Sequence, residues 1–169
     1  MKLIRMILVC VLLSKTAPTE AKEWRGIVPL NSTRADVERL LGPPVSDTLS
    51  GPCQCLYKLE DATVHVIYAN GLPCGAAEQR DWRVGGWRVP RDTVVEIAVY
   101  FRTEQQFDKL NIDETKYEKV TNRELPGLLY LINTEEGISI EAGGNRIRSI
   151  RYFASAKDNK LRCYVSPLK

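Results

Sequence analysis

Cys53, Cys55, Cys74 and Cys163 are the side chains of this sequence best suited to covalent chemistry. Thiols can bridge, hold a metal or attack an electrophile, and spacing separates these options. Structural zinc sites usually carry two C-x-x-C knuckles. Here a C-x-C pair is followed by a lone Cys74 and a distant Cys163, so disulfides are the expectation. Cys53 and Cys55 fall two apart on an expected strand, and alternate strand residues point the same way. Such neighbours are poorly placed to bridge each other. Each is expected to reach its own partner, one at Cys74 and one at Cys163. Cys53–Cys74 is the favoured pairing, because the hairpin after Cys55 returns the chain to the start of its first strand. A bridge to Cys163 would tie the C-terminal segment to that strand.

Other chemistry finds little support. His65 is the single histidine, set on an apolar strand, so a histidine triad or a histidine-rich metal site has nothing to build on. No spacing marks a pair of carboxylates for acid–base work. The expectation is a protein that is not an enzyme, with no catalytic, cofactor-binding or metal residues. The segment AAEQRDWRVGGWRVPRD, residues 76–92, is richer. It interleaves Trp82 and Trp87 with Arg80, Arg83, Arg88 and Arg91. Tryptophan and arginine dominate the energetics of protein interfaces. Two readings stand side by side: the indoles fold over the end of a sheet, or they face a partner. The candidate partner-binding residues are Trp82, Arg83, Trp87, Arg88, Tyr100 and Arg102.

The N-terminal residues set the compartment. Met1 to Arg5 is basic, MILVCVLL at 6–13 is apolar, and Thr19-Glu20-Ala21 offers a cleavage point after Ala21. Residues 1–21 therefore read as a secretory signal, too short to span a membrane. Cys10 sits inside the apolar run after Val9, which suits signal filling better than a lipidated cysteine. The whole chain has a formal charge of +3; without Lys2, Arg5, Lys15 and Glu20, residues 22–169 carry +1. That near-neutral balance argues against nucleic acid as a partner. No second long apolar run offers a transmembrane span. The expected location is periplasmic or extracellular, where disulfides persist.

The elements that would position these residues are short. In NSTRADVERLLGPP, residues 31–44, Thr33 with Asp36 resembles a capping box. Val37, Leu40 and Leu41 share one face, and Gly42-Pro43-Pro44 stops the helix. Asn31-Ser32-Thr33 also matches a glycosylation sequon, although capping chemistry accounts for the same letters. Strands are expected at 53–59, 63–69, 94–102, 116–120, 128–133, 137–142 and 146–153, with a last one near 162–165. Val95, Ile97, Val99 and Phe101 alternate with Glu96, Ala98, Tyr100 and Arg102, the pattern of a sheet packed on one side. Thr103 with Gln106 reads as a second capping box, opening a helix buried along Phe107 and Leu110. Residues 56–71 set beside 129–145, and 95–101 beside 148–154. The expected organisation is one α+β domain over 22–169: antiparallel sheet, short helices on one face, and pseudo-repeats at 26–102 and 103–155.

GIVPLNSTRADVERLLGPP, residues 26–44, resembles the opening of the SmpA/OmlA (BamE-like) domain, through Gly26, Thr33, Val37, Leu41, Gly42 and Pro44. The wider fold group includes β-lactamase inhibitor protein. The resemblance implies an exported protein that acts by binding another protein, with helices behind a sheet whose open face does the gripping. It departs from that family around Cys10, which lacks a lipobox. The expected function is an exported protein-binding or envelope-scaffold module with an unidentified protein partner. The alternative is a receptor for a small ligand or glycan, with tryptophans as stacking surfaces.

Overall fold

The computed structural model describes residues 21–46, 53–74, 86–110, 112–121, 125 and 127–163. The expected signal segment through Glu20 (with Cys10), the loop residues Trp82 and Arg83, and the expected last strand beyond Cys163 lie outside the described residues.

Seven strands form one antiparallel sheet: β1 Gln54–Lys58, β2 Ala62–Tyr68, β3 Val94–Gln106, β4 Glu118–Thr121, β5 Leu128–Asn133, β6 Ile138–Gly143 and β7 Arg146–Phe153. Their order across the sheet is β1-β2-β3-β7-β6-β5-β4. Two meanders, β1–β3 and β5–β7, therefore run outward in opposite directions from a central β3–β7 pair. Among the described residues one α-helix, α1 Arg34–Leu41, accompanies them, and the other helical pieces are 3₁₀ turns at Phe107–Leu110, Glu114–Lys116 and Ala156–Leu161. The architecture is predominantly β, which corrects the expected α+β arrangement of helices packed on a sheet face. The expected helix from Thr103 is the cause. Its capping letters are overridden by pairing: Thr103 to Gln106 continue β3, and Gln105 faces Ile147 of β7. Two apolar residues, Phe107 and Leu110, are too few to hold a longer helix in place.

α1 forms as its letters suggest. Asp36 accepts from the Thr33 backbone N–H at 3.0 Å, and Thr33 Oγ1 accepts from the Asp36 N–H at 3.3 Å, completing a capping box. The Thr33 backbone N–H and hydroxyl, with help from Arg39, hold the Asp36 carboxyl down at about 2. Gly42 ends the helix at φ 82°. Val37 is fully buried, whereas Leu40, expected on the same face, is 41% exposed above Gly26.

Alternate strand residues point to opposite faces. One face carries two cores. Val37 joins Cys55, Tyr57, Val64, Val66, Tyr68, Ile97 and Val99. Leu131, Ile138, Ile140, Ile147 and Ile150 form the second, under half-buried Phe107, Leu110, Ile112 and Tyr117. Phe101 and Tyr152 touch both cores. A third cluster of Leu30, Ala69, Trp87, Val95 and Ala154 gathers where β2 ends and β3 begins. Val95 joins it, rather than Ile97, because the β2–β3 register shifts at Ile67/Tyr68 and Val94 takes the paired position. The turn between β5 and β6 is locked by Gly137, at φ 66°. A Cβ there would lie 2.1 Å from the Phe153 carbonyl, and the Gly137 carbonyl accepts from the Phe153 N–H.

Candidate functional site

The disulfide joins Cys74 to Cys163. Cys53 and Cys55 are not part of this bridge; both are buried, Cys55 in the core beneath α1. This corrects the expected pairings, in which Cys53 and Cys55 each took a partner. Backbone pairing explains it: Trp87 bridges Arg162, and Cys163 N–H donates to Gly86 carbonyl at 2.8 Å. The C-terminal segment is thereby laid beside residues 86–88 at the sheet end, close to Cys74 and not to the start of β1.

Trp87 belongs to this end closure. It is 5% exposed, with the Arg162 guanidinium 4.8 Å from its ring centroid. Of the two readings of residue 87, the structure gives the packed one. Arg88 is exposed, and its N–H donates to Leu161 carbonyl. Among the described residues, Trp87 Nε1 and Arg162 Nε are buried donors that find no acceptor. Among the described residues, no three His, Cys, Asp or Glu side chains converge as a metal ligand set would.

The sheet face opposite the two cores is built by register. His65 lies beside Ala98, Tyr100 beside Ser149, and Ala98 beside Arg151. Glu141 lies beside Ser149. These positions share one face, and His65, Glu96, Tyr100, Glu141 and Arg151 are half-exposed on it. The rings of His65 and Tyr100 stand 5.0 Å apart, tilted by 55°. Arg151 Nη1 lies 3.6 Å from Glu96 Oε1, and the Ser149 hydroxyl donates to Glu141 at 3.1 Å. Partial burial, then the positive Arg151, lower the His65 pKa, so the imidazole is neutral near pH 7. A neutral imidazole, a phenol, two carboxylates and a guanidinium thus set hydrogen-bond donors and acceptors side by side on paired strands. Tyr100 and Arg102 continue from it into a cleft beside β7.

A second polar group lies under α1, and sequence reasoning missed it. Arg34 Nη1 donates to Cys55 Sγ at 3.1 Å, and its guanidinium stacks 4.6 Å from the Tyr68 ring centroid. Arg34 Nε approaches Asp92 at 3.3 Å. The Tyr57 and Tyr68 hydroxyls share a 2.8 Å hydrogen bond. Burial pushes Tyr57 up to about 12 and Tyr68 higher still, so both phenols stay protonated. The signal was available: Cys55 and Tyr57 alternate on one strand, Val64, Val66 and Tyr68 on the next. Two buried tyrosines need a polar partner, and Arg34 begins the helix above them.

No protein-family model matches the chain, and no curated protein matches it. Its fold is similar to that of a DUF4309 family protein, YjgB, from Bacillus subtilis subsp. subtilis str. 168. The similarity covers 81% of this chain and 88% of that one, with a TM-score of 0.50 and 12% sequence identity.

Proposed function

We propose that the chain is an exported, non-catalytic binding module that presents the polar face of its sheet to a partner protein. The observation that carries this is the half-exposed row of His65, Glu96, Tyr100 and Arg151, brought together by strand register on the face opposite the two main cores. Rigid strands hold such groups without the ordering cost of a loop. Export is supported by the signal-like residues 1–21 and by the Cys74–Cys163 bridge, a bond that persists in oxidising compartments. No helix among the described residues is long and apolar enough to cross a membrane. The resemblance of residues 26–44 to BamE-like domains supports the same style of action, through binding.

The packed position of Trp87 removes it both from the candidate partner-binding residues and from the stacking surfaces of the glycan reading, so the role rests on the sheet face. The test compares affinity capture from the native envelope or medium by the wild-type chain and by a His65→Ser/Arg151→Gln variant of unchanged circular dichroism. A protein retained by the first and lost by the second supports the role. Equal capture by both removes the sheet face from it. Binding on a glycan array, with no face-dependent protein, replaces it with the ligand reading.

A further inference from the structure

We propose that the cleft between β3 and β7 receives an acidic, carboxylate-bearing segment of the partner protein. This rests on the protein-binding reading above and names the chemistry of the partner.

The cleft is made by a mismatch in strand length. β3 and β7 pair regularly from Glu96↔Phe153 to Tyr100↔Ser149, then resume at Gln105↔Ile147. Residues 101–104 of β3 thus stand against Arg148 alone. The β6–β7 register also shifts at this level, from Glu141↔Ser149 to Ala142↔Ile147. Bulges of this kind bend a strand and re-aim its side chains. The opening has a volume of about 470 Å³ and is lined by Tyr100, Arg102, Thr103, Gly143, Arg146 and Arg148, among others. That lies within the range of small binding clefts.

Charge selects the occupant. Three arginines meet one carboxylate, Glu104, and Arg146 is already paired to it at 2.7 Å. Among the described residues no carboxylate pairs with Arg102 or Arg148, so two exposed guanidinium groups face the opening. Arginine offers a planar fork that matches a carboxylate with two hydrogen bonds. The hydroxyls of Tyr100 and Thr103 add further donors at the rim.

Gly143 supplies an independent reason to read Arg148 as placed. Its backbone conformation is not one that favours glycine, since it is absent from the positive-φ positions. Yet a Cβ there would come 3.0 Å from Arg148 Nε and 3.4 Å from Nη2. The guanidinium packs against Gly143 backbone that a Cβ would crowd. Tyr100 belongs both to the cleft and to the polar face, so an acidic segment seated among the arginines continues directly onto His65 and Arg151.

The experiment titrates the mature chain with a fluorescently labelled, end-capped oligoglutamate peptide, by anisotropy at low and high salt. The expected result is salt-sensitive binding, weakened roughly tenfold or more in Arg102→Ala/Arg148→Ala. Gly143→Ala keeps every charge and moves the Arg148 guanidinium by only a few tenths of an ångström, so it is expected to weaken binding less than the double-arginine variant. Replacement of the exposed Lys157 by Ala is the charge-loss control, expected to bind as wild type. Equal affinity in the wild-type and double-arginine chains overturns the proposal, as does a loss in the Lys157 control as large as theirs. Binding of inorganic phosphate through Arg102 and Arg148, with no peptide binding, also overturns it. Face-dependent capture of a partner that survives Arg102→Ala/Arg148→Ala leaves the binding role standing and removes only the acidic segment.

Discussion

Strands β1–β3 carry a capped helix against their cored face, whereas β5–β7 carry two 3₁₀ turns on theirs. Tyr57, Val64, Val66, Tyr68 and Ile97 are completely buried under the first cover. Under the second, Phe107, Leu110, Ile112 and Tyr117 stay half-exposed while the strand residues beneath them are buried. The same three-strand course can thus be closed by one regular element or patched by irregular ones. The closed half places a polar group, Arg34 with Cys55, Tyr57 and Tyr68, inside its cover. The patched half meets it along an imperfect join, and that join is where the cleft opens. Local stability follows buried apolar contact, so the two halves are expected to differ in strength.

The largest expected effect concerns the staple between the halves. Cys74 follows the second strand of one meander and Cys163 the last strand of the other, 89 residues apart. Cys74→Ser/Cys163→Ser is expected to cost about 4.6 kcal/mol in urea denaturation, on the loop-entropy account. It should also separate the melting of the two halves, as read by hydrogen exchange. A loss below about 1 kcal/mol would show that the sheet itself ties them.

Next comes a matched pair of truncations. Ile97→Ala empties a fully buried site and is expected to cost about 3 kcal/mol. Leu110→Ala, in the half-exposed cover of the other meander, is expected to cost about 1 kcal/mol. Equal costs would erase the contrast between closed and patched halves. Thr33→Ala removes the cap of α1 and is expected to cost about 1 kcal/mol, with faster amide exchange confined to β1–β3 and the helix.

The smallest effect is one of pH. His65 is the single histidine of the chain, and burial holds its folded pKa below the usual 6.5. The unfolded chain therefore binds the proton first as pH falls. His65 contributes stability that is complete above about pH 6.5 and is lost as pH drops toward the folded value. His65→Gln should flatten the thermal-melting profile between pH 5 and 7. An unchanged slope would place the titrating group elsewhere.

Strand positions were legible wherever one face is buried, because alternation then shows in the letters. Residues 128–133 and 146–153 lie where that pattern puts them. Helix α1 was equally plain, since a capping box, an apolar spacing and a Gly-Pro-Pro stop agree. The same local logic failed at Thr103, where capping letters sit in a strand whose partner, β7, is remote in sequence. It failed for Cys74 too. Proximity in sequence suggested Cys53, while backbone pairing of Trp87 with Arg162 delivered Cys163. At the candidate site, Tyr100 and Arg102 were visible as outward residues of an alternating strand. Arg146, Arg148 and Gly143 were not, because the register break that gathers them is a relation between three strands.

The strand order has a consequence for how the chain assembles. Each meander can zip from neighbouring segments, but Ile97 and Tyr152 must meet across three intervening strands. The middle of the sheet is therefore its last part to close. Until Arg146–Phe153 arrives, β3 shows a raw hydrogen-bonding edge flanked by Ile97 and Val99, the kind of edge that recruits other chains. A nascent chain that stalls before its seventh strand is expected to present that edge to other chains.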